Sequence, residues 1–321
     1  MLSRFLAVIA ALLLPLAASS QEFPGKPIRI IVPFPPGGVM DVTTRTVAAP
    51  LGDALGQSIL IENRPGGGGN IGTDSVARAA PDGYTLLVVG DHNTIAPALY
   101  SKLTYDIVKD FAPITNLVVG SHVLVAHSSL PINSVKELIE QARKRPGELS
   151  YASPGSGTAQ HLGGEMFKAM AGGLQITHIP YKGGGQAISD VVGGQVKLGV
   201  LGLAPVLPHL KSGKLKALGV TGKRRVAILP DVPTIAESGL PGFETVQWYG
   251  VVAPAGTPSA VISKLYAELV KAVRRPAVVE RLAAVGMEVM PSASPAEFAS
   301  FIREDVTKWP AVVKTAGAKV D

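Results

Sequence analysis

Short runs of branched apolar residues alternate along this chain with longer stretches in which apolar residues recur every three or four positions. The first run, residues 28–34 (IRIIVPF), ends at Pro35-Pro36-Gly37-Gly38 and reads as a buried strand followed by a turn. From Asp41 the period changes. Val47, Leu51 and Leu55 lie four apart, which predicts a helix, with a kink at Pro50. Residues 58–62 form a second strand, 66–69 a loop and 72–80 a short helix. Pro81-Asp82-Gly83 is a turn and 84–89 a third strand. Ser134 with Glu137 fits a capping box that opens a helix carrying Leu138, Ile139 and Ala142 on one face, and Pro146-Gly147 ends it. Residues 149–152 are strand-like and 158–171 helical. Residues 177–181, 198–201 and 215–220 are strand-like again. Pro258 behind Thr257 and Pro295 behind Ser294 are first-turn prolines, and they open the helices that fill most of the last ~65 residues. Strand-then-helix alternation with short loops means an α/β protein with largely parallel sheets. Ligands of such sheets bind beyond the carboxyl ends of the strands, so the loops that follow strands are where chemistry is expected.

Composition narrows the function. With 321 residues, two domains are expected. The 46% apolar and 17% charged content excludes a disordered chain. Thirty-six glycines and 26 prolines imply many tight loops, with no collagen-like period. There is no cysteine, which removes thiol nucleophiles, thiolate metal sites and disulfides together. The net charge is +6, but the basic residues are scattered and the densest cluster is Lys223-Arg224-Arg225. With aromatics at only 5%, no nucleic-acid platform is expected. The charge supplies solubility and a mild attraction for small anions.

The first twenty residues are set apart. Arg4 precedes an apolar run over 5–18, broken only by Pro15, and Ala17, Ala18, Ser19 and Ser20 close it. This is the pattern of a secretory signal, expected to be cleaved, and it is shorter than the ~20 residues a membrane span needs. An exported, periplasmic location follows as an expectation. A compartment without stocks of ATP or NAD weakens any nucleotide motif.

Several motifs have plainer readings. Gly67-Gly68-Gly69-Asn70-Ile71-Gly72 matches G-x-G-x-x-G, but it belongs to the second strand–helix unit and precedes a very short helix, so a tight structural turn is the better account. Gly222-Lys223-Arg224 lacks the remaining positions of a phosphate loop. Ser153-Pro154-Gly155-Ser156-Gly157-Thr158 follows a strand and leads into a helix. Backbone N–H groups, hydroxyls and a helix N-terminus make it a candidate anion cradle. Its Gly155-Ser156-Gly157 lacks the G-x-S-x-G spacing of a nucleophile elbow. Pro35-Pro36-Gly37-Gly38 is the same device after the first strand. The six histidines, His92, His122, His127, His161, His178 and His209, form no tight ligand pair, so no metal site is expected, nor any cofactor. His161, one turn into the helix behind the cradle, is either a ligand contact or a supporting hydrogen-bond group.

Taken together, the blocks resemble the Bug family, the periplasmic substrate-binding proteins of tripartite tricarboxylate transporters. The resemblance rests on residues 30–38 with Asp41; Glu62-Asn63-Arg64-Pro65-Gly66 with Asn70-Ile71-Gly72; Pro81 through Leu86; Lys109-Asp110-Phe111; Tyr151 through Gly157 with His161-Leu162; His178 through Gly183; Leu229-Pro230-Asp231-Val232-Pro233-Thr234; Trp248-Tyr249-Gly250; and residues 253–258. It covers nearly all of the chain after the first twenty residues. It implies a two-lobed, Venus-flytrap (type II) periplasmic-binding-protein fold, each lobe a mainly parallel sheet flanked by helices. The expected division is 1–20 signal peptide, 21–120 first lobe, 121–246 second lobe, and 247–321 returning to the first lobe with its C-terminal helices. The lobe crossings fall near residues 118–123 and 246–249.

The resemblance further implies a monomer that binds a small carboxylate (an amino acid, a di- or tricarboxylate or an aromatic acid) and passes it to membrane permease subunits, without catalysis. A sensor subunit serving a membrane histidine kinase and an exported enzyme are the competing roles. The ligand-binding residues it implies are Phe34, Pro36, Gly37 and Gly38, then Asp91, His92, Asn93 and Thr94 in a loop after the third strand. In the second lobe they are Ser153, Gly155, Ser156, Gly157, Thr158 and His161, with Tyr181, Lys182, Gly183 and Gly202 nearby. The family often carries His-Ala-Ile-Asn-Pro where this chain has Asp91 through Pro97, so no particular ligand carries over. An Asp91 facing the cleft would pair with a ligand ammonium; turned away, it would cap the helix that follows.

Overall fold

The structure is a computed structural model that describes residues 23–318, so the expected signal segment lies outside the described residues. In chain order the elements are β1 (Ile28–Val32), α1 (Val39–Leu55), β2 (Ile59–Asn63), α2 (Asn70–Ala77), β3 (Thr85–Gly90), α3 (Asp91–Leu99), β4 (Phe111–His127), α4 (Val135–Lys144), β5 (Ser150–Ser153) and α5 (Ala159–Met170). There follow β6 (Thr177–Pro180), α6 (Gly184–Val192), β7 (Leu198–Gly202), α7 (Leu203–Lys211), β8 (Leu215–Val220), β9 (Val246–Pro254), α8 (Ser259–Val273), α9 (Pro276–Ala284), β10 (Glu288–Val289) and α10 (Pro295–Ala316).

The strands form two sheets joined through β4. The first has the order β2-β1-β3-β9-β4-β10, and in the second β4 lies between β8 and β7, with β5 and β6 beyond β7. The 17-residue β4 pairs with β9 as far as Ser121, opposite Val246, and with β7 from His122, opposite Gly202. A single strand therefore belongs to both lobes, and the switch falls between two adjacent residues.

Alternation along the strands explains the continuous apolar runs. Ile28, Ile30 and Val32 of β1 pack with Leu86, Val88, Val251 and Ala253 under α1, α8 and α9. Ile31, Leu87, Val89, Trp248 and Val252 point the other way, against Val76 of α2 and Phe298 and Ile302 of α10. In the second lobe Leu124, Ala126, Leu198 and Val200 pack toward α4 and α5, while Val123, Val125 and Leu201 pack toward α6 and α7. Sheets covered on both faces need strands that are apolar on both faces.

The expectation of mainly parallel sheets holds for the β1-β2, β1-β3, β5-β6 and β5-β7 pairs and is corrected at the exchange strands. β9 runs antiparallel to β3 and to β4, and β4 runs antiparallel to β7 and β8, so each sheet is mixed. A strand that crosses between lobes enters the second sheet without a covering helix connection, and that frees it from the parallel rule. Pro50 does not divide α1, which is one element from Val39 to Leu55.

The C-terminal helices were expected on the first lobe. α8 packs there against α1 and β4. α10 touches both lobes, packing on α3 and α5. Its Trp309 and Val313 form one cluster with Ile95 and Leu99 of α3 and Ala159 and Leu162 of α5.

Candidate functional site

β1, β3, β5 and β6 all end at the junction of the lobes, and the four helices that follow them, α1, α3, α5 and α6, begin there. Between them lies a cavity of about 620 Å³, of the size that takes a small ligand with water. Gly38, Val39 and Met40 line it from the start of α1, Asp91 and His92 from α3, Thr158, Ala159 and Gln160 from α5, and Gly183 and Gly184 from α6. The first-turn N–H groups of a helix have no intrahelical partner. Each N-terminus also carries about half a positive charge. Two such ends from each lobe converge here, and among the described residues no lysine or arginine lines the cavity. The arrangement offers backbone donors of the kind that suit an anion.

Of the residues singled out in the sequence, the cavity brings together Phe34, Pro36, Gly38, Asp91, His92, Ser156, Gly157, Thr158 and Gly183. The others lie off its wall. Gly37 donates its N–H to Asp41 Oδ2 at 2.9 Å. Burial pushes the Asp41 carboxyl up, but bonds from Arg45, the Gly37 N–H and Asn63 outweigh it and hold the group below the usual range. Asp41 thus fixes the shape of the Pro35–Gly38 turn.

The segment after β3 is the first turn of α3 and not a loop. Asn93 and Thr94 consequently face the interior. Asn93 Oδ1 accepts the Gly90 N–H at 3.0 Å and its Nδ2 donates to Thr73 Oγ1 at 2.9 Å. Thr94 Oγ1 donates to Asp305 Oδ2 at 2.6 Å. Asn93, three residues beyond Gly90, does the capping that the sequence reading gave to Asp91, while Asp91 stands on the cavity wall. Gly90 itself is required by the close approach of β9, because a Cβ there would lie 2.8 Å from the Trp248 carbonyl oxygen.

The second-lobe cradle rests on two histidines. Gly157 donates its N–H to His161 Nδ1 at 3.0 Å, so His161 is neutral and protonated at Nε2. His178 stacks on His161, with ring centroids 3.9 Å apart, and its Nε2 lies 2.7 Å from Ser153 Oγ. That separation is one a nucleophile and its base could have. Ser153, however, is 0% exposed, and its hydroxyl is tied to Gly155 inside the loop. The pair braces the backbone. Gly155 accepts from Thr158 Oγ1 at 2.7 Å, and Thr158 Oγ1 accepts the His161 N–H, capping α5. Tyr181 turns its hydroxyl to Asp190, Lys182 is exposed, and Gly202 caps α7 away from the cavity.

The sequence reading also missed residues. Ile95 and Leu99 line the cavity with Asp91. Their i, i+4, i+8 spacing was a legible signal once the segment was taken as helical. Gln160 follows from its place in the first turn of α5. Gln247 and Tyr249 lie on one face of β9; Tyr249 falls in the Trp248-Tyr249-Gly250 block, and nothing local marks Gln247. Gly68, from the rejected dinucleotide match, also touches the cavity, at a 3₁₀ turn.

Burial lowers all four interior histidines. His92 and His178 fall to about 3 and His122 to about 4, and His161 moves the same way against the pull of Glu165. An unfolded chain takes up protons on these rings below pH ~6.5 that the folded one refuses, so stability is lost as pH falls through that value. Asp91, raised to about 7, works in the opposite sense between pH ~4 and 7. Four groups outweigh one. The melting temperature should fall steadily from pH 7 to 4.5, and a flat or rising profile would contradict the neutral histidine stack.

The comparisons agree with this architecture. The family described as "Tripartite tricarboxylate transporter family receptor" matches residues 43–318. Protein BugT of Bordetella pertussis is 38% identical over 325 residues, covering 99% of each chain. A Rhodopseudomonas palustris protein solved with adipate is 35% identical with a TM-score of 0.80, over 93% of this chain and 100% of that one. MatC from the same organism, solved with bound malate, is 34% identical with a TM-score of 0.76, over 91% and 100%. The chain belongs to the receptor family of the tripartite tricarboxylate transporters, among the Bug-type periplasmic binding proteins.

Proposed function

We infer that this chain is a periplasmic receptor that captures a small carboxylate between its lobes and delivers it to membrane permease subunits. The observation that carries this is the convergence of four helix N-termini, two from each lobe, on one cavity that no lysine or arginine of the described residues lines. A solute that engages both pairs stabilises the closed arrangement and shifts the population toward it. A linear dicarboxylate suits the geometry, with one carboxylate for each lobe, and two relatives hold ligands of that class, adipate and malate.

In this reading the lobes are 21–120 with 247–321, and 121–246, and residues 1–20 are removed on export. Ser156, Gly157, Thr158 and Gly183 meet the ligand from the second lobe, and Phe34, Pro36, Gly38, Asp91 and His92 from the first. His161 acts on it through the Gly157 loop.

Native mass spectrometry of freshly purified protein tests capture. A retained small acid is expected, and a retained sugar or polyamine would overturn the reading. Uptake of that acid by cells lacking the chain tests delivery. Loss of uptake is expected, and unchanged uptake would favour the sensor role.

A further inference from the structure

Among the described residues, Asp91 is the only carboxylate lining the cavity, and no salt bridge is made to it. The backbone N–H groups of Asp91 and His92 favour its ionised form, but less than burial opposes it. Asp305 of α10 repels it. Asp305 itself accepts from Thr94 Oγ1 at 2.6 Å and from Trp248 Nε1 at 3.1 Å. Lys308, one turn along α10, donates to the Glu244 carbonyl at 2.6 Å and gives Asp91 only weak attraction. His92 is neutral, and burial and the Asp91 charge keep the proton on the Tyr249 phenol. The attraction of Lys308 and of the backbone N–H groups at the start of α3 does not offset the burial and the Asp305 charge. Yet the cavity is built to draw an anion to within contact distance of it. Two bare carboxylates at contact repel, and the cost grows as water is excluded.

We propose that Asp91 determines specificity by meeting the ligand across a shared hydrogen, which comes either from an ammonium or hydroxyl on the solute or from Asp91 itself after it takes up a proton. This rests on the reading of the cavity as a carboxylate site. Burial and Asp305 already push Asp91 up to about 7, so near neutrality a proton is within easy reach. The two sources leave opposite marks. A solvent proton makes binding weaken as pH rises. A donor on the ligand makes Asp91 most useful when ionised.

Calorimetry separates them, with succinate and aspartate, and adipate and 2-aminoadipate, as matched probes at pH 6 and pH 8 in buffers of different ionisation heat. If Asp91 takes up the proton, the plain dicarboxylate binds several-fold and up to about tenfold more weakly at pH 8, and its binding heat depends on the buffer. Asp91→Asn then removes both effects. If the solute supplies the hydrogen, the amino acid binds at least tenfold tighter than its partner at pH 8, and Asp91→Asn abolishes that preference. Wild-type binding that ignores pH, buffer and the amino group would overturn the proposal while leaving the cavity reading intact. Failure of every carboxylate to bind would overturn both.

Discussion

Gly157→Val removes ligand binding, with an expected loss of at least a hundredfold in affinity, equivalent to about 2.7 kcal/mol. Gly157 sits at φ +76° on the cavity wall, in the left-handed region that a β-branched residue adopts only with strain. Relieving that strain moves the loop and breaks the N–H bond to His161 that sets its shape. The added side chain also occupies the wall where an anion would approach the backbone. The loop is partly exposed and both lobe cores lie elsewhere, so the cost in stability stays near 1–3 kcal/mol and the variant folds. Thr158→Ala is the contrast. It removes a cap and one bond to Gly155, costs about 1 kcal/mol in stability, and weakens binding only modestly. Titration of both variants, with circular dichroism to confirm folding, checks the pair. Unchanged affinity in Gly157→Val would take this loop out of the site.

Trp309→Ala should be the most destabilising single truncation. Trp309 is 1% exposed and joins α3 of one lobe to α5 of the other. Losing a buried tryptophan typically costs about 3–5 kcal/mol, including the cavity left behind. Three of its cluster partners, Ile95, Leu99 and Ala159, are also walls of the ligand cavity. The loss should therefore reach function, with a lower denaturant midpoint and weaker ligand binding together. Trp309→Phe should recover most of both. A fall in stability with binding untouched would show that α10 packs on the lobes without coupling them.

Much of this was legible in the sequence, for identifiable reasons. Strands covered on both faces leave continuous apolar runs, and β1, β3, β5, β7 and β8 were found that way. The strand-end rule then pointed to the Pro35–Gly38 turn and the 153–158 loop, and both supply cavity wall. The errors have physical sources as well. β4 and β9 are exchange strands, recognised by their pairing across the molecule and not by local pattern. The family resemblance implies a loop at residues 91–94, whereas the helix starts directly at Asp91 with Gly90 as its cap. That one-turn difference turned Asn93 and Thr94 inward and left Ile95 and Leu99 out of the site. The His161–His178 stack joins residues 17 positions apart on different elements, and no spacing rule reaches it.

The proposed hold on a carboxylate comes from backbone donors at four converging helix ends. The most direct measurement is calorimetric titration with adipate and with adipamide, which share a chain length and differ in charge. The same comparison applies to succinate and succinamide. At least one dicarboxylate should bind, and its diamide should bind at least a hundredfold more weakly, because a neutral amide gains little from converging helix dipoles. Equal affinity for a dicarboxylate and its diamide would contradict the account.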